Sequence, residues 1–291
     1  MLIYRPFGFA QLPAGNNFFD WWTSTMGKGT NRLCGELLRK WRKARHVSQL
    51  DLAMKSRTSQ RHLSFVETGR AQAGREMILN VTEALDMPLR ARNEILLAGG
   101  YAPYFPERPL AAVELGAINT VLTRMLRHHD PYPAMALDGT WNIVMRNETS
   151  TRIIKSCVSD RALTQIAVHG NLNFMRLMFA PNGLRPHIRS WAETSRILLA
   201  RLRREAASYP GSPSESLLRE LREDNDLPVL EFGDAPLEST IPMTIDVDGC
   251  VLRFMNTLTT FGTPQDITLQ ELRIEMSFPA DEATERFLRG K

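Results

Sequence analysis

Gln60, Arg61 and Ser64 are the residues of this chain best suited to reading another molecule. Their spacing puts all three on one side of a helix. An amide, a guanidinium and a hydroxyl shown together offer the hydrogen bonds that tell one base pair from another in a major groove. Gln49 and Arg70 flank them, and Arg39 and Lys43 lie further upstream. These four are the candidates for backbone phosphates, which ask for charge or a simple donor. The chemistry so assembled is recognition of double-stranded DNA. A helical hairpin with a solvated polar face has the same local pattern, so the flanking elements must decide.

Those elements are short helices. Ser48 is an N-cap with Asp51 as a weak capping-box partner. Leu50, Ala53 and Met54 follow at helical spacing, and Ala53 is small enough for a second helix to cross closely. Lys55 to Thr58 form a turn, Ser59 caps the second helix, Leu63, Phe65 and Val66 are its apolar side, and Gly69 stops it. Upstream, Leu33, Leu37, Trp41 and Ala44 share a helical face, opposite Arg39, Lys40, Arg42, Lys43 and Arg45. Downstream, Ile78, Val81, Thr82 and Leu85 repeat the helical period up to Pro88, and residues 89–100 form one more helix ended by Gly99 and Gly100.

Four or five short helices with one basic side resemble the phage-repressor type of helix-turn-helix domain. The resemblance rests on Gln49 opening the second helix, Ala53 before the turn, and Glu67 and Gly69 closing the third. It implies an ion pair between Arg42 and Glu67 that holds the third helix in place. One position departs from the pattern: Arg57 stands where the turn usually has Gly. A positive φ is costly for Arg, so a differently shaped turn is expected there.

The 291 residues suffice for two domains, and a composition of 43% hydrophobic and 23% charged residues is that of a globular protein. The net charge of +4 is uneven: residues 33–88 hold ten Lys/Arg against six Asp/Glu. Positive charge therefore sits on the segment that would meet phosphates. Cys34, Cys157 and Cys250 are far apart and odd in number, which suggests reduced thiols in the cytoplasm. No apolar run is long enough for membrane insertion, and no signal peptide is recognisable. Residues 1–32 carry Phe7, Phe9, Phe18, Phe19, Trp21 and Trp22 with no sustained period. They read as a flexible aromatic-rich leader, with Met26 as a second candidate start, or else as an arm that docks on a partner.

The domain at 33–100 is followed by a Pro-rich linker at 101–113 and a second domain at 114–291. Glu114 to His129 carries Leu115, Ile118, Val121, Leu122, Met125 and Leu126 on a helical face. Met135 to Leu137, Asp138-Gly139 and Trp141 to Met145 read as a tight hairpin. Helices follow at 147–156, 171–178, 187–209, with Arg196, Arg201, Arg203 and Arg204 facing solvent, and 214–222. A second hairpin spans 239–260 around Asp248-Gly249, and 271–278 is a third strand. The expected fold class is an N-terminal all-α helix-turn-helix domain and a C-terminal α+β domain with an antiparallel sheet, helices on one face, in the outline of a PAS-like sensor. The stretches RHLSFVETGR, DPYPAMALDGTWNIVMRN, NLNFMRLMFAPNGLRPHI and TTFGTPQDITLQELRIEMSFPADEAT are similar to the MmyB-like transcription regulators. That resemblance covers residues 33–290. It implies a DNA-binding domain coupled to a PAS-like ligand-binding domain, and related domains hold a fatty-acid-like ligand.

No cofactor is expected. G-x-S-x-G, P-loop, Cys-x-x-Cys and H-E-x-x-H motifs are missing, and the His128, His129, Asp130 run lacks further metal ligands, so an enzyme is not expected. The candidate ligand residues are Asn173, Phe174, Arg176, Leu177, Met178 and Trp191. Arg176 interrupts an apolar run and needs a partner. A fatty-acid carboxylate with Asn173 adding an amide is one such partner; a protein carboxylate such as Glu193, or solvent, is the other. The expected function is a ligand-responsive, dimeric regulator of transcription. The alternative is a repressor or antitoxin-like protein whose C-terminal domain only dimerises.

Overall fold

Ser48 and Ser59 start the two helices on which the N-terminal unit is built. The Ser48 hydroxyl accepts from the Asp51 amide at 3.1 Å and donates to the Asp51 carboxylate at 2.6 Å, and Ser59 accepts from the His62 amide at 3.1 Å. The structure, a computed structural model, describes residues 32–209, 212–223, 241–262 and 264–290. Its contacts divide the chain into Met1–Phe105 and Pro106–Lys291. Of the expected leader, residues 1–32, Arg32 belongs to the first helix and residues 1–31 lie outside the described residues, as do the first residues of the second hairpin.

The first unit holds α1 (residues 32–44), α2 (Gln49–Lys55), α3 (Gln60–Glu67), α4 (Arg75–Ala84) and α5 (Leu89–Ala98). The turn between α2 and α3 keeps its usual shape despite Arg57. The Thr58 amide donates to the Ala53 carbonyl and the Arg57 amide to Met54, and this paired closure requires a left-handed residue between. Arg57 takes that conformation, with φ at 56°. The strain makes Arg57→Gly an expected stabilisation of about 0.5–1 kcal/mol, the relief being partly offset by the freer unfolded chain. An increase in melting temperature checks it, with DNA affinity unchanged.

Two of the expected apolar faces are rotated. On α1 the buried residues are Cys34, Leu38 and Trp41, while Leu33 is exposed and so is Ala44. On α2 they are Leu52 and Ala53, while Leu50 and Met54 are exposed. The cause on α1 is Gly35, whose missing side chain lets the helix lie directly on the Val66 and Glu67 backbone. That approach turns Cys34 and Leu38 inward. At the unit's end, buried Asn93 clamps the following segment. Its amide donates to the Phe105 carbonyl at 2.7 Å and its oxygen accepts from the Tyr104 and Phe105 amides.

The second unit is a five-stranded antiparallel sheet in the order β2-β1-β5-β4-β3. Its strands are β1 (Ala134–Leu137), β2 (Ile143–Arg146), β3 (Ile241–Val247), β4 (Cys250–Thr260) and β5 (Arg273–Pro279). The longer helices are α6 (Gly116–His128), α7 (Glu148–Cys157), α10 (Trp191–Ser208) and α11 (Pro213–Arg222); α8 (Asp160–Ile166), α9 (Phe174–Phe179), α12 (Ile267–Glu271) and α13 (Glu282–Leu288) are short. Helices cover both faces. Leu137, Ile245, Val247, Leu252 and Phe254 join the residues of α7 to α11 in the main core. Ala134, Ala136 and Ile274, of opposite parity on the strands, pack on Leu122 and Leu126 of α6. The expectation of helices on one face is corrected by α6, whose apolar stripe needed a second surface to bury it.

The second hairpin turns at Asp248 and Gly249, both at positive φ, as a primed turn requires. The first does not. Asp138 accepts from the Thr140 and Asn142 amides at 2.8 and 2.9 Å, and the left-handed residue is Trp141. The Asp138 carboxylate holds a longer loop than an Asp-Gly turn, and the loop drives Trp141 into the core at 1% exposure.

Candidate functional site

On α3 the buried residues are Leu63, Val66 and Glu67. Gln60 and Arg61 are exposed and Ser64 is half-buried. The Arg61 guanidinium lies 5.5 Å from the Phe65 ring centroid, which limits its swing without covering its donors. Arg39, Lys43 and Arg70 are exposed.

The third helix is fixed from behind. Arg42 donates through Nε to Glu67 Oε1 at 2.6 Å and through Nη2 to Oε2 at 2.8 Å. Its Nη1 reaches the Val47 carbonyl at 3.0 Å. Glu67 is 1% exposed and Arg42 12%, so the fork is nearly dry, and the Glu67 hydrogen bonds raise the Arg42 pKa further. Half-buried Gln49 also donates to Glu67 Oε2 at 2.8 Å. One of its amide protons is thus held inside, and the other remains for an outside acceptor.

In the second unit the expected ligand residues are brought together, but as structure. Phe174, Leu177 and Met178 are core side chains, and Phe174 stacks on Trp141 with centroids 6.2 Å apart. Asn173 caps α9 through the Arg176 amide and donates to the Thr140 carbonyl at 2.7 Å. Arg176 makes a fork to Glu220 at 2.7 Å on both arms, which also holds the Glu220 carboxyl below its usual range. Of the two partners expected for Arg176, the structure shows a protein carboxylate, supplied by Glu220 of α11 and not by Glu193. Trp191 is half-buried against Phe179 and Arg185. His129 meets the Ser277 carbonyl and Asp130 meets Thr149, so the histidine-aspartate run does not converge. Burial pushes the Cys34 and Cys157 thiols up to about 11, away from reactivity.

A different cluster gathers around Trp141. The Arg273 and Arg201 guanidiniums lie 4.7 and 5.7 Å from its ring centroid. The indole N–H donates to Glu205 Oε2 at 2.9 Å, and Arg273 approaches the same oxygen at 3.1 Å. Arg201, expected to face solvent, is half-buried here, and desolvation lowers its pKa. Glu275 lies beside it, its carboxyl pushed up to about 7 by burial and only partly restored by Arg201. The strand period shared by Arg273 and Glu275 was the available signal: both fall on the parity of the core.

The N-terminal unit is a helix-turn-helix domain: residues 38–91 match the helix-turn-helix family model. Residues 118–290 match the MmyB-like transcription regulator ligand binding domain, and the chain belongs to that family. It is a DNA-binding transcription regulator. Among solved structures, it is similar to the restriction-modification controller protein C.AhdI from Aeromonas hydrophila. The identity is 31% over 21% of this chain and 94% of that one, with a TM-score of 0.21. It is also similar to the clp gene regulator ClgR from Corynebacterium glutamicum, at 28% identity over 24% of this chain and 88% of that one, with a TM-score of 0.22. No curated protein matches the chain. No helix among the described residues is long and apolar enough to cross a membrane.

Proposed function

We propose that this regulator binds its operator as a homodimer in the cytoplasm and that its C-terminal, PAS-like domain answers to a small, fatty-acid-like apolar molecule. The observation that carries the DNA half is the exposed Gln60 and Arg61 pair, with half-buried Ser64 beside it, on a helix locked in place by the Arg42–Glu67 fork. Gln60, Arg61 and Ser64 contact base edges. Gln49, Arg70, Arg39 and Lys43 contact phosphates. A single helix-turn-helix reads few base pairs, and two-fold partners read half-sites about one helical turn apart. Ligand binding alters operator affinity only if the ligand prefers one arrangement of the protein.

Selection of bound sequences from a random pool tests the assignment. Arg61→Ala is expected to cost about 1–3 kcal/mol on the selected site and to relax preference at the base it reads. Arg70→Ala is expected to weaken all sequences alike and to lower the salt slope by about one. An unchanged selected sequence in Arg61→Ala removes Arg61 from the base-reading set. A monomer by light scattering, both free and on DNA, removes the dimer.

A further inference from the structure

The buried side chains of α3 fix which way the rest of that helix looks. Leu63, Val66 and Glu67 are 0–3% exposed. At about 100° per residue, the direction opposite their mean falls between Arg61 and Phe65, within roughly 30° of each. Gln60 and Ser64 flank that direction on one side and His62 on the other. Phe65, grouped by sequence with the apolar side of the helix, is therefore corrected: it stands on the outward face, and it is half-buried there. Arg61, one turn before it, holds its guanidinium 5.5 Å from the ring centroid. That guanidinium has no carboxylate partner among the described residues, so its donors remain available. A half-exposed aromatic ring on a DNA-reading face keeps apolar surface in water that a partner can cover. In the major groove the apolar mark is the C5-methyl group of thymine, and the other groups shown there are donors and acceptors. An arginine beside a ring thus meets two needs: donors for guanine O6 and N7, and an apolar surface for a methyl group. Their 5.5 Å separation lies between one and two base-pair steps of about 3.4 Å, so the two contacts fall on adjoining pairs.

We propose that Phe65 is a specificity-determining residue that reads a C5-methyl group beside the guanine taken by Arg61, so that each operator half-site carries a thymine adjoining a guanine. The proposal rests on the DNA-reading assignment of α3 above and deepens it. The contact with Phe65 orients the Arg61 guanidinium before DNA arrives, which spares part of the ordering cost of binding. The readout is of the methyl group and not of the base that carries it. The same surface therefore distinguishes 5-methylcytosine from cytosine at that position, and methylation of a cytosine standing there raises operator affinity.

The test uses the full chain and duplexes built on the sequence it selects from a random pool, with affinity read by fluorescence anisotropy at one fixed salt concentration. The selected half-site is expected to hold a thymine adjoining the guanine whose preference Arg61→Ala relaxes. Uracil in place of that thymine removes the methyl group alone and is expected to weaken wild-type binding about three- to fivefold, the loss of one buried methyl. Cytosine at the same position binds weakly, and 5-methylcytosine recovers a like factor. Phe65→Ala is expected to bind the thymine and uracil duplexes equally, and Phe65→Leu, still apolar, keeps part of the ratio. His62→Ala, at the side of that face, keeps the wild-type ratio. The uracil duplex needs no variant and decides the matter even if Phe65→Ala fails to fold. Equal wild-type affinity for the thymine and uracil duplexes overturns the proposal. So does a wild-type ratio in folded Phe65→Ala, or a selected site with no thymine beside that guanine. In each of these cases a selected sequence that changes in Arg61→Ala leaves the DNA-reading assignment of α3 standing, and one that does not change removes that assignment of Arg61 as well.

Discussion

Replacing Glu67 by Gln is expected to lower stability by about 3–5 kcal/mol, the range for breaking one side of a buried ion pair. Glu67 is 1% exposed and accepts three hydrogen bonds, two from Arg42 and one from Gln49. A glutamine has one acceptor oxygen for those three donors and turns an N–H group toward them. Arg42 cannot shed its charge, and at 12% exposure it has little water to turn to. For a unit of this size the loss is a fall of about 12 °C or more in melting temperature. The double replacement Arg42→Met with Glu67→Leu puts apolar groups of similar volume in place of the pair and is expected to recover much of the loss, since apolar substitutes for buried pairs are often neutral. Below the melting transition Glu67→Gln keeps the wild-type base preference, because Glu67 is buried against Arg42 and Gln49 while Gln60 and Arg61 are exposed. Melting temperatures unchanged in both Arg42→Ala and Glu67→Gln would show that the fork contributes nothing.

The helices of the first unit were legible because their signals are local. Ser48 and Ser59 as caps, Gly69 as a stop and Pro88 as a boundary each act within a turn of themselves. Rotation was not legible. Leu33 and Leu37 offer as good a stripe as Cys34 and Leu38, and the choice between them is made by a contact with Val66, far along the chain. The second hairpin was readable from Asp248-Gly249, while the first was misread because Asp138 uses its side chain to hold a longer loop. The charged cluster shows the same division. Arg176 drew notice as a cation within an apolar run, yet Glu220 on α11 neutralises it near the surface. Arg201 looked like one more solvent-facing arginine of α10 and instead lies over Trp141. Helical period places a residue on a face, but the loop that delivers Trp141 beneath that face is a tertiary matter.

Gly35→Ala is expected to cost about 3 kcal/mol or more, although it adds one methyl group and improves helix propensity. A Cβ at Gly35 would run into the Val66 carbonyl oxygen and lie 3.0 Å from the Val66 carbonyl carbon and 3.1 Å from Glu67 Cα. All three are backbone atoms of the last turn of α3, so no side chain can swing aside. Relief requires α1 to move off α3. That movement draws Arg42 away from Glu67 and lifts Cys34, Leu38 and Trp41 out of the core they fill. The cost is therefore shared by packing and by the buried ion pair, and it does not simply add to that of Glu67→Gln. Gly116→Ala is the matching control. It opens α6 with φ at −56° and an added Cβ meets nothing within 4 Å, so a gain of about 0.5–1 kcal/mol is expected. Circular dichroism melts of the full chain separate the two, with Gly35→Ala losing its helical signal early and Gly116→Ala late. If Gly35→Ala melts with the wild type, α1 does not lie on the Val66 backbone, and the inward turn of Cys34 and Leu38 loses its cause.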